Sequence, residues 1–76
     1  MLEEKPDYLD NYDELVNIIM GETEIDGKNF SLKEDYEKFF IKGNKAAGAR
    51  VRKVMQKIRR LAEKIRKDVQ EYKNEI

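Results

Sequence analysis

Between Lys42 and Lys67 the chain sets eleven basic residues against a single acid, Glu63. A run of that kind suits the binding of a polyanion, and duplex DNA offers a line of phosphates with about one charge per 1.7 Å of axis. The candidate contacts are Lys42, Lys45, Arg50, Arg52, Lys53, Lys57, Arg59, Arg60, Lys64, Arg66 and Lys67. Arginine is well represented, and its planar fork grips phosphate through paired hydrogen bonds that an ammonium cannot make. Contacts of this type position a nucleic acid without reading its bases. RNA would meet the same cations.

Other chemistry is poorly provided for. Cysteine and histidine are both absent, which removes disulfides, thiolate zinc sites and the commonest general base. Two carboxylate groups, Asp7/Asp10/Asp13/Glu14 and Glu22/Glu24/Asp26, could suggest a metal. The second superficially resembles a calcium loop, but it lacks the alternating ligands and the closing Glu at position twelve. No glycine-rich phosphate loop and no Ser/His/Asp set is present. The expectation is a protein that is not an enzyme and needs no cofactor or metal.

The elements that would position the cations follow from periodicity. Ala47, Val51, Val54, Ile58, Leu61 and Ile65 alternate steps of 4 and 3, a heptad seam. Val69, Tyr72 and Ile76 continue it after one residue of drift. With Val51, Ile58 and Ile65 at position a, row g holds Arg50, Lys57 and Lys64. Row b then holds Arg52, Arg59 and Arg66, and row c holds Lys53, Arg60 and Lys67. Position e carries Gly48, Met55, Ala62 and Val69, and position f carries Gln56, Glu63 and Gln70. Like charges at i+3 and i+4 cost a few tenths of a kcal/mol per pair, so the wall calls for a compensating anion. The chain's own first half is one source: residues 1–41 hold twelve acids and four bases, residues 42–76 the reverse.

Upstream, Tyr12, Leu15, Val16 and Ile19 predict one face of a short helix within Tyr8–Met20, with Asp10 or Asp13 as N-cap and Gly21 as a left-handed stop. The residues through Pro6 are expected to fray. Glu22–Asn29, with its Asp26-Gly27 turn, reads as a loop. Ser31 and Glu34 form a capping-box pattern that starts a helix with Leu32, Tyr36, Phe39 and Phe40 as its apolar face. Tyr8, Tyr12 and Tyr36 read as core or interface aromatics rather than base-stacking platforms. Apolar phase carries across Gly43-Asn44, which favours one long helix or a slight kink there. The small residues around Gly48 suit either phosphate approach or helix packing.

The resulting expectation is one small all-α domain over 1–76: an acidic helix and loop in 1–30, and a long helical region with the basic wall in 31–76. A helix from Asn44 to Ile76 would run about 50 Å, which outreaches the short N-terminal helix and predicts a dimer, with a second copy covering the remainder. No apolar run is long enough to span a membrane, and the acidic N-terminus does not resemble a signal peptide, so a cytoplasmic protein is expected.

The stretch Lys42-Gly43-Asn44-Lys45-Ala46-Ala47-Gly48-Ala49-Arg50-Val51-Arg52-Lys53 resembles the signature of the bacterial linker-histone-like proteins of chlamydial type. A looser likeness continues through Ile58–Lys67. The resemblance implies a small nucleoid-associated protein that binds and compacts DNA with little sequence preference, through Lys42, Lys45, Arg50, Arg52 and Lys53. The chain stops at Ile76 without the long Lys/Ala/Pro-rich tail common in that family, and its first half is acidic. Modest duplex binding is therefore expected rather than strong condensation. The competing expectation is a helical protein–protein module whose acidic and basic halves pair between chains.

Overall fold

In the computed structural model, which describes residues 6–76, proline stands at the first position of helix α1 (Pro6–Met20). Its fixed φ suits a helix start, where an N–H has no partner anyway. Pro6, expected to fray, thus opens the helix instead, and the rest of that expectation, residues 1–5, lies outside the described residues. Gly21 ends the helix differently from the expectation. Its N–H donates to the Asn17 carbonyl at 2.9 Å, and left-handed glycines occur only at Gly27 and Gly43 among the described residues. The chain passes directly into a strand at Glu22, so no reversal is needed.

That strand corrects both the loop and the all-α expectation. β1 (Glu22–Ile25) and β2 (Lys28–Ser31) form an antiparallel hairpin in which Thr23 faces Phe30 and Ile25 faces Lys28. Asp26 and Gly27 take φ of 53° and 79°, the double left-handed turn whose twist matches paired strands. Four residues per strand give too few alternations to stand out as a period of two. The hairpin is held by what it buries: Thr23 and Phe30 point inward together.

Ser31 caps α2 (Leu32–Phe40), its Oγ accepting from the Glu34 N–H at 3.4 Å. The helix does not run on. Gly43 adopts φ 71° and donates to the Phe39 carbonyl at 3.0 Å, a left-handed cap. Asn44 then caps α3 (Lys45–Glu75), its Oδ1 accepting from Ala47 N–H at 3.1 Å. A reversal therefore replaces the expected long helix or slight kink. Tyr36 and Phe40, read as in phase with Ala47 and Val51, are in fact exposed.

The core is the cluster Ile18, Phe30, Val54 and Leu61, with Leu15, Ile25, Leu32, Ile58 and Ile65 packed against it. The seam of α3 is thus buried as its spacing predicts, through Ile65. On α1 the buried line is Asn11, Leu15 and Ile18, while Tyr12, Val16 and Ile19 are exposed, so the expected face is rotated. The helix carries two apolar stripes, and only one can face α3.

The earlier segments cover α3 in reverse order. α2 meets its first turns through Asp35–Arg50, the hairpin meets its middle through Thr23–Lys57, and α1 meets its end through Asn11–Asp68 and Tyr8–Tyr72. Together they cover the seam through Ile65, while Val69, Tyr72 and Ile76 at the end of the rod stay exposed, as the expected excess of length over cover implies. The result is elongated, 49 × 21 × 19 Å, consistent with 31 helical residues spanning about 46 Å.

Candidate nucleic-acid interface

α3 displays its cations by rotation alone. Positions b and c lie about 100° apart on a helix of 3.6 residues per turn, on the side away from the a/d seam. Once Val54 and Leu61 are buried, the six cations of those rows must face outward. Arg52, Arg59, Arg66, Lys53, Arg60 and Lys67 are all exposed. Between the rows runs the f line of Gln56 and Glu63, and together they border a shallow concavity lined by Arg59, Arg60, Lys64 and Lys67.

Row g divides. Arg50 Nε donates to Asp35 Oδ1 at 3.0 Å, with the Arg50 side chain 37% exposed and that of Asp35 only 7%. Lys57 Nζ donates to Thr23 Oγ1 at 2.6 Å and to the Glu24 carbonyl at 2.9 Å. Lys64, one heptad further, is exposed. Row g sits nearest the seam, so the segments covering α3 reach its first two members and miss the third. Arg50 and Lys57 are therefore engaged with the protein's own first half.

At the joint, Lys42 and Lys45 are exposed. Of the eleven candidate residues, the structure turns Arg50 and Lys57 inward and leaves the other nine on the surface. The acidic half does not cover rows b and c in the contacts described. Arg66 has one carboxylate close by, Glu63 at 3.6 Å, an exposed pair one helical turn apart. Surface pairs of that kind contribute about 0–1 kcal/mol and yield readily to a better anion.

The glycines of the signature have structural roles. Gly43 supplies the left-handed cap. At Gly48 a Cβ would come within 2.5 Å of the Phe39 ring, so the helices approach here closely enough to need its absence. Ala47 is fully buried, whereas Ala46 and Ala49 are exposed. Of the two readings of this small-residue cluster, helix packing accounts for Ala47 and Gly48.

Sequence reasoning missed Asp35 and Thr23, which settle the fate of row g. Asp35 was legible only as a favourable charge in the first turn of α2. Among the described residues, no three carboxylates converge on a metal-sized space, and no helix is long and apolar enough to cross a membrane.

A family model described as histone H1-like protein Hc1 matches residues 23–75, well over half of the chain and the whole of the basic helix. No curated protein and no solved structure matches.

Proposed function

This chain belongs to the histone H1-like Hc1 family, a family of histone-like DNA-binding proteins, and from that membership we propose how it acts. It is a nucleoid-associated, non-enzymatic protein of the cytoplasm that holds duplex DNA by its phosphates, with little sequence preference. The observation that carries this reading is the exposure of rows b and c along three heptads of α3. Nine surface cations, Lys42, Lys45, Arg52, Lys53, Arg59, Arg60, Lys64, Arg66 and Lys67, form the contact set. Arg50 and Lys57 serve it indirectly, by fixing α2 and the hairpin against α3. A helix with side chains is about 10–12 Å across, close to the width of a major groove, so rows b and c can each meet one phosphate strand.

A second copy fits the same reading. Met55, Val69 and Ile76 are exposed at position e, and Leu9, Tyr12 and Ile19 on the outer stripe of α1. These apolar surfaces support a homodimer that leaves rows b and c outward.

Reversing Arg52, Arg59 and Arg66 to Glu together tests the assignment against the alternative of acidic–basic pairing between chains. Duplex affinity is expected to fall by at least 100-fold (about, for three lost phosphate contacts) while the sedimenting species stays the same. Loss of assembly with duplex affinity retained would favour the pairing module.

A further inference from the structure

Of the α2 face that the sequence assigns to the core, Leu32 packs inward but the rings stay largely outside. Tyr36 is 52% exposed and Phe40 62%, and Phe39 retains part of its surface over Gly48. The Phe40 ring touches both others: Tyr36–Phe40 centroids lie 4.6 Å apart and Phe39–Phe40 4.8 Å. Phe39 and Phe40 border a groove between the end of α2 and the start of α3, which Lys45 and Arg52 also line. Lys42 is exposed on the connecting turn. No acid lines that groove.

The surroundings of this exposed aromatic cluster suit one kind of occupant. A groove with aromatic walls and a cationic rim matches a nucleobase whose phosphate lies alongside, since every base has a face that stacks on an aromatic ring. Arg52 belongs both to this groove and to row b. A backbone following Arg66, Arg59 and Arg52 therefore arrives at the groove with its phosphates already held. A paired base in a duplex is stacked on its neighbours and cannot enter.

We propose that the aromatic groove at the α2–α3 joint takes an unstacked base, giving the protein a second mode of contact with single-stranded or locally opened DNA. This rests on the phosphate-contact reading above and adds stacking to it.

Anisotropy of a labelled oligo-dT and of a duplex of equal length, at one moderate salt concentration, tests it with the full chain. Phe40→Ala is expected to weaken oligo-dT binding about 10-fold, from stacking terms of 1–3 kcal/mol per base, and duplex binding less than about 2-fold. Phe40→Tyr keeps an aromatic face and is expected to retain single-strand affinity. Phe39 stays untouched because it packs on Gly48. Unchanged oligo-dT affinity in Phe40→Ala, or an equal loss on both probes, overturns the proposal while leaving the phosphate reading intact. Dissociation of an oligomer in Phe40→Ala overturns it in favour of a second copy seated on the groove. Binding of neither probe by the unsubstituted protein defeats both readings together.

Discussion

Gly48 shows how a single side chain's absence shapes the interface. Alanine is favoured over glycine in a helix interior by about 1 kcal/mol, so Gly48→Ala would ordinarily stabilise. Here the added methyl meets the Phe39 ring at 2.5 Å, and overpacking costs about 1–3 kcal/mol. The clash is expected to win, lowering Tm by about 5 °C. The double variant with Phe39→Ala should recover much of that loss, as coupled neighbours do. Asp35→Ala makes a second case: it leaves Arg50 without its carboxylate and should cost about 1–2 kcal/mol, read by urea unfolding. That Arg50 and Lys57 are basic is plain from the sequence. That they turn inward is not, because it depends on where Asp35 and Thr23 arrive after two chain reversals.

Among the elements, α3 was legible because its heptad seam is long, and one buried face leaves the other rows no choice of direction. The hairpin was not, since each strand offers four residues, although Asp26-Gly27 carried the turn signal. Gly27→Ala forces a side chain into φ 79° and should destabilise by about 1 kcal/mol, seen as a lower Tm. Phe30 ties the hairpin to Ile18, Val54 and Leu61, so the penalty should appear in the global transition rather than as local fraying. Leu61→Ala removes a core anchor and should cost about 2–5 kcal/mol in the same measurement. The faces of α1 and α2 were misread for one reason. Each helix carries more apolar residues than α3 can cover, and periodicity cannot say which stripe wins.

At the scale of the molecule, the first half of the chain acts as a cover. α2, the hairpin and α1 occupy the apolar side of α3 as far as Ile65 and leave rows b and c to solvent. The formal net charge of zero hides this separation of a covered side from a cationic one. The most direct measurement is duplex affinity as a function of salt. Each phosphate neutralised contributes about −0.9 to the slope of log K against log salt, so engagement of most of the exposed cations predicts a slope of about −4 to −8. Reversal of Arg52, Arg59 and Arg66 should flatten it. A slope near zero, or one that the reversal leaves unchanged, would contradict a phosphate-binding role for the exposed face of α3.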